Sequence, residues 1–314
     1  WRSVSLPSDW RDIALPVAVS LLCFQLYRTI STVFAFPLKK AKDELACCPD
    51  DKWAEPVRVY GMLAPHPVIS YSPFVAKVVA YCRMTGIPHT VETGNFANNS
   101  KGQMPYIVHG GRVIADSQLI IRYLENTFDI PTMASQIAME RSSKTKPFQT
   151  FEQLDEHQQG MCEAVRHLCE GPLCWYLRSC RWNGAAGVCE SEAAWAATVR
   201  AFFGSVPALI CGPVTAMVRA RVARSTFEQG MARHSPADQL FIHRRALRAL
   251  SSLLGDKAYM LGDAPTEADC AAFAICDNIL AAAWPNPLAD YARAECRNLE
   301  AYCARVRAAW FAGG

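Results

Sequence analysis

Apolar and polar positions alternate in PVRVYGM (Pro56–Met62), and the β-branched residues in that run predict a strand. Beyond a proline-bearing loop the period changes. Val75, Val78, Val79 and Cys82 recur at i, i+3, i+4 and i+7, which predicts a helix with one buried face. Ser72 suits its N-cap and Pro73 its first position; Gly86 ends it and Pro88 prevents its return. HTVET (His89–Thr93) is a second strand, and GNFANNSKG is a polar loop. Tyr106–His109 and Arg112–Ala115 are short strands joined by Gly110 and Gly111, a hairpin turn whose residues can both take positive φ. Asp116 and Ser117 then cap a helix carrying Leu119, Ile120, Tyr123 and Leu124. The order β-α-β, then β-β-α, predicts a small mixed sheet with helices on its faces.

The second half reads differently. Residues 129–147 are polar with proline near both ends, so they read as a linker with room for one helical turn. After them Ala, Leu and Arg recur at helical period, which predicts an all-α unit. The expected organisation is an N-terminal segment (1–55), an α/β unit (56–128), the linker (129–147) and a helical unit (148–314). Two helix starts stand out. Ser235 precedes Pro236 with Asp238 three residues on, and Thr266 is followed at the same distance by Asp269. Both are capping-box arrangements with Asp in place of Glu, so these four residues are structural caps.

Two long apolar runs break the periodic pattern. Ile13–Phe36 carries one charge, Arg28, and is followed by Lys39, Lys40 and Lys42. As a helix it would extend roughly 36 Å, enough for a bilayer core of about 30 Å. Its basic flank places the globular part on a cytoplasm-like side. A spanning anchor is the expectation; a packed or interfacial helix is the alternative. Ala201–Val218 has no charge, is interrupted by Pro207 and Gly212-Pro213, and leads into Arg219, Arg221 and Arg224. A buried helix-turn-helix is expected there, ahead of a second span or an exposed apolar surface. The three arginines suit an anionic lipid or an acidic partner, or simply a solvated face.

Composition narrows the classes. The chain is 51% hydrophobic with a net charge of +3, which makes no case for nucleic acid. Its fourteen cysteines show no C-x-x-C and no zinc spacing. No metal site is expected. Scattered in a long chain, the cysteines read as reduced, buried small hydrophobes, which implies a reducing compartment. The chain opens on Trp1 rather than Met, as a processed or truncated form would.

SPF at the first helix start, GQMPYI before the hairpin, ADS after it and the Leu-Gly-Asp-x-Pro-Thr-x-x-Asp run from Leu261 to Asp269 resemble the glutathione transferases in type and order. YLRSCRW, QGMARHS and NLEAYCARVRAAWF narrow the resemblance to the failed-axon-connections branch, related to metaxins. It implies a thioredoxin-like N-terminal domain followed by a helical glutathione-transferase C-terminal domain. It implies that Pro105 is cis, that the Met104 backbone meets the cysteinyl part of glutathione, and that Asp116 and Ser117 hold its γ-glutamyl end. In redox relatives the first residue of the SPF motif is a reactive Cys. Here it is Ser72, and Val75 stands at the fourth position, so dithiol chemistry is absent. Ser72 could still donate to a glutathione thiolate, with Tyr60 and Tyr71 as backup donors.

Two functions remain open. The preferred one is a membrane-anchored accessory or scaffold subunit that works through other protein subunits, in a mitochondrial or other organellar membrane. The other is a glutathione-dependent transferase acting on small electrophiles, with Ser72 as thiolate stabiliser.

Overall fold

The computed structural model describes residues 55–62, 68–95, 98–141, 146–182, 192–204, 206–282 and 286–311, together with helical positions 17, 20, 21 and 24. Four strands form one sheet in the order β2-β1-β3-β4: β1 (Val57–Gly61), β2 (His89–Thr93), β3 (Tyr106–His109) and β4 (Arg112–Ala115). β1 runs parallel to β2 and antiparallel to β3, and β3 pairs antiparallel with β4. Val59 lies at the centre of the sheet, opposite Val91 on one side and Ile107 on the other.

Helix α1 (Pro73–Thr85) crosses from β1 to β2, and Gly86 ends it at φ 79, where a side chain would be strained. Gly61 closes β1 against this helix. A Cβ at Gly61 would lie 2.4 Å from Val75 Cγ1, so glycine allows the strand and helix to approach. The sequence periodicity predicts one buried face for α1, yet every residue from Val75 to Cys82 is buried. The cause is tertiary: α1 lies between the sheet and helix α9 (Glu267–Leu280) of the second half. Ala271, Ala272 and Ala274 keep α9 slim enough to fit.

Helix α2 (Ser117–Thr127) follows the hairpin. The expected linker then proves to be a second helix, α3 (Ile130–Arg141), packed on α1. Its buried residues Ile130, Ala134 and Ala138 recur every fourth position. Two of the three are alanines, which is why the stretch reads as polar. Pro131 falls in the first turn, where no helical hydrogen bond is lost.

The helical half holds α4 (Glu156–Leu168), α5 (Cys174–Trp182), α6 (Glu192–Phe203), α7 (Ala208–Gln229), α8 (Pro236–Leu254), α9, α10 (Pro287–Glu295) and α11 (Arg297–Trp310). A single π-turn, Cys169–Leu173, joins α4 to α5 at Gly171-Pro172. The apolar run from Ala201 forms the end of α6, a turn and the start of α7. Gly212-Pro213 does not break α7. Pro213 forgoes a bond to the Leu209 carbonyl, and Leu209 is 74% exposed, so water can serve that oxygen. Nearly all of Ile13–Phe36 lies outside the described residues. Among the described residues no helix is long and apolar enough to cross a membrane.

Nine of the described cysteines are free thiols, seven of them buried, and Cys180 is disulfide-bonded. Burial pushes the Cys82 and Cys162 thiols up to about 12 and Cys174 to about 11, so these sulfurs behave as small hydrophobes and not as nucleophiles. No group of His, Cys, Asp and Glu suited to a metal ion occurs among the described residues.

Candidate functional site

Ser72 caps α1 in an extended conformation, φ −95 and ψ 117. Its hydroxyl accepts a hydrogen bond from the Val75 N–H at 3.4 Å, longer than the usual 2.7–3.2 Å. The side chain is half-buried at the end of a helix whose first N–H groups and dipole favour negative charge.

The loop that delivers Ser72 is held from the helical half. Asn278 of α9 donates to the Ser70 carbonyl at 3.1 Å, and Arg181 of α5 donates to the Tyr71 carbonyl and, at 3.2 Å, to Asn278 Oδ1. The Ser70 hydroxyl donates to the Met62 carbonyl at 2.5 Å and accepts from the Ser72 N–H at 3.1 Å. Burial lowers the Arg181 guanidinium to about 10. It stays charged at neutral pH.

The Met104–Pro105 peptide is cis, which turns the chain into β3. Among the described residues the Met104 backbone makes no backbone hydrogen bond, while Pro105 accepts from the Asp116 N–H at 3.3 Å. Asp116 is the one described non-glycine residue with positive φ, at φ 88 and ψ 128. Holding a side chain there costs on the order of 1–3 kcal/mol. Its Oδ1 accepts from the Gln118 and Leu119 N–H groups at 3.0 and 3.4 Å, and the carboxylate remains exposed. Ser117 is buried beside it. Ser72, Met104, Pro105, Asp116 and Ser117 thus sit on adjoining elements: the N-termini of α1 and α2 and the entry to β3.

The two tyrosines do not stand equally. Tyr71 is next to Ser72, and its ring packs on Phe202 of α6 at 5.4 Å. Tyr60 is on the sheet face opposite α1, stacked on Tyr106 at 4.8 Å, with its hydroxyl accepting from Arg58 at 3.4 Å. Alternation along β1 puts Val59 and Gly61 toward α1 and turns Tyr60 away.

Several residues around this region do not emerge from the sequence pattern. Lys77 is 1% exposed on α1 and donates to Gln118 Oε1 and to Glu170 at 2.9 Å, with Glu267 at 3.1 Å. Burial alone would lower its pKa, but Glu267 and Glu170 together raise it. The ammonium is therefore charged and joins α1, α2, the π-turn and α9. A lysine inside an apolar helix pattern was the one available signal. The void beside it, between Pro73, Lys77, Glu170 and Cys174, holds about 10 Å³, room for one water.

The caps of the helical half are also in place. Ser235 Oγ accepts from the Asp238 N–H at 3.2 Å and donates to its carboxylate at 2.6 Å. Asp269 is fully buried and accepts from the Met260 N–H at 2.7 Å, the Thr266 N–H at 2.8 Å, the Thr266 hydroxyl at 2.9 Å and the Tyr302 hydroxyl at 3.0 Å. Thr266 is thus a donor to Asp269, and the carboxylate does most of the capping.

Residues 73–187 match the glutathione S-transferase N-terminal domain, and residues 243–306 match the glutathione S-transferase C-terminal domain. The chain belongs to the glutathione S-transferase-like superfamily. Within this superfamily it is 29% identical over 221 residues to the isoprene-epoxide–glutathione S-transferase of Rhodococcus sp. (strain AD45), covering 66% of this chain and 79% of that relative. It is 24% identical over 249 residues to failed axon connections of Drosophila melanogaster, covering 76% of this chain. It spans 54% of the Drosophila protein's length and has a failed-axon-connections-like character within the superfamily. Among solved structures, the β-etherase LigF of Sphingobium sp. strain SYK-6 superposes with a TM-score of 0.50 at 17% identity, covering 81% of this chain and 96% of that one. That likeness supports the transferase fold: a thioredoxin-like domain with a helical C-terminal domain.

Proposed function

We propose that this chain binds glutathione and transfers it to a small electrophile. The observation that carries the reading is Asp116. A carboxylate can cap a helix at negative φ, so a cap alone gives no reason to hold a strained conformation. A ligand reading of the carboxylate at that point gives one. The α1 and α2 N-termini, with their dipoles, and the Met104 backbone, which makes no backbone hydrogen bond among the described residues, fit the same peptide.

In this reading Asp116 meets the γ-glutamyl ammonium, Ser117 and the α2 N-terminus meet its carboxylate, and Met104 pairs with the cysteinyl backbone. The thiol lies at Ser72, whose hydroxyl donates to the sulfur while the α1 dipole favours the thiolate. The sulfur lone pair attacks an electrophilic carbon. A new C–S bond forms as the bond to the leaving group breaks, and an epoxide oxygen leaving in this way takes up a proton. The isoprene-epoxide relative supports this substrate class.

The experiment is retention on immobilised glutathione with elution by free glutathione, followed by conjugation of an epoxide and a chlorinated nitrobenzene. Retention, with turnover lost in Ser72→Ala, is the expected result. No retention and no turnover would sink the transferase reading.

A second reading, a non-catalytic accessory subunit, draws on the Drosophila relative and on the Ser72 hydroxyl already serving the Val75 N–H. Tethering through residues 13–36 in a mitochondrial or other organellar membrane belongs to this reading. Retention of the full chain in the membrane pellet after a carbonate wash supports the tether, and recovery in the wash rules out a spanning helix.

A further inference from the structure

Between Arg219 and Arg248 the sequence places seven arginines against two acids. The structure separates them into two groups. On α7, Arg224 is bound to Glu228 at 2.8 Å, and Arg219 covers the Trp195 ring at 4.8 Å. On α8 the arginines are set differently. Phe241, Arg244, Arg245 and Arg248 stand at i, i+3, i+4 and i+7, so they share one face of the helix. The opposite face, with His243, Leu247, Leu250 and Leu254, is buried. The shared face is exposed throughout, and Phe241 is 60% exposed.

No carboxylate among the described residues pairs with any of the three α8 arginines. Arg245 lies 5.7 Å over the Phe241 ring and Arg244 lies 5.2 Å over Tyr291 of α10. The same device recurs at the end of α7, where Arg233 sits 5.0 Å over the exposed Phe227 ring. Rings parked beside arginines put apolar area and cationic forks at one level.

We propose that the exposed face of α8 docks on an anionic membrane surface, with Phe241 entering the headgroup boundary and Arg244, Arg245 and Arg248 meeting lipid phosphates. Charge complementarity selects an anionic partner, since guanidinium forks bind phosphate in bidentate fashion. The exposed ring beside the guanidinium forks matches a headgroup boundary, where an apolar side chain and lipid phosphates are met at the same depth. A second exposed apolar stripe, Val17, Leu21 and Phe24, occurs in the same chain at i, i+4 and i+7 and asks for the same kind of cover. The proposal does not depend on glutathione chemistry.

The test is sedimentation of the full chain with vesicles of phosphatidylcholine alone or with 30% phosphatidylserine. Each basic residue near an anionic surface contributes about 1 kcal/mol, so the Arg244→Gln/Arg245→Gln/Arg248→Gln variant should bind the phosphatidylserine vesicles on the order of 100-fold more weakly than wild type. Its binding to neutral vesicles should match wild type, and the triple Arg→Lys variant should keep the anionic preference. All three positions are exposed, and an unchanged melting curve checks that the glutamine variant is folded. Equal binding of wild type and the glutamine variant to anionic vesicles would overturn the proposal. So would capture by polyglutamate without any preference for anionic over neutral vesicles, which would assign the face to an acidic protein.

Discussion

At the start of α1 the Ser72 hydroxyl accepts a single hydrogen bond of 3.4 Å and is half-buried. At the start of α9 the Thr266 hydroxyl is buried and donates at 2.9 Å to a carboxylate that already takes three other donors. The sequence uses the same device at both places, a hydroxyl residue followed by a helix. What differs is how far each polar group is satisfied. Asp269 has no capacity left for a ligand, and its loss would orphan several buried donors. Ser72 has a weak bond to lose and a hydrogen left to donate. Burial and saturation mark a helix start built for stability, while partial exposure and spare valence mark one available for chemistry.

The largest break in that comparison should come from Asp269→Ala. It leaves the Met260 and Thr266 N–H groups and the Thr266 hydroxyl without their carboxylate acceptor in a buried site, while the Tyr302 hydroxyl keeps only the backbone carbonyl of residue 269, at 3.2 Å. We expect a loss of more than about 3 kcal/mol in denaturant unfolding. The fraction that remains folded should bind glutathione as wild type does.

Ser72→Ala should do the reverse. Removing one preorganised donor costs on the order of 10²-fold in rate, read as kcat/KM for conjugation, with about 1 kcal/mol or less of stability. A melting point that falls as far as that of Asp269→Ala, with conjugation intact, would erase the distinction between the two starts.

The pH dependence sharpens the comparison further. Burial raises the Asp269 carboxyl to about 6, against its hydrogen bonds, which pull it down. Its folded pKa is above the unfolded one, so its contribution is full below about pH 4 and is lost as pH rises through 6. His243 is buried with both ring nitrogens lacking a hydrogen-bond partner among the described residues, and burial lowers it to about 4. Its contribution is present above about pH 6.5 and is lost as pH falls toward 4. The two slopes oppose each other across pH 4–6.5. Replacing the imidazole in His243→Leu should leave the Asp269 slope exposed. Relative to wild type, that variant should gain on the order of 2 kcal/mol between pH 7 and pH 5, read from melting points at the two values.

The smallest effect belongs to Ser235→Ala. Its cap is exposed, and its partner Asp238 can turn to water. A loss of about 0.5–1 kcal/mol in unfolding free energy is expected, with no change in conjugation rate.

Local chemistry made much of the fold readable. The strands alternate, the hairpin has its glycine pair, and α1 carries its own start and stop signals, so these elements fall where period and capping put them. Helix α3 escaped because its buried positions are mostly alanine, which carries too little apolar signal against polar neighbours. The residues that hold the loop before Ser72 were illegible for a different reason. Arg181 and Asn278 are 110 and 208 positions away in sequence from the loop residues they hold, and an arginine in a helical pattern reads as solvated surface until the tertiary fold buries it. Lys77 is similar: its three partners come from three other elements.

The carbonyls of Ser70 and Tyr71 are gripped by side chains of the helical half, and α1 is buried from both sides. The thioredoxin-like unit is therefore no transferable cassette. Cut out alone, it would expose the far side of α1 with Lys77 on it, and the loop would lose the grip that aims Ser72. A chimera that supplies a different helical half would have to bring an arginine and an asparagine to those two carbonyls. Recombination within this fold is thus confined to partners that share the same handshake across the domain boundary.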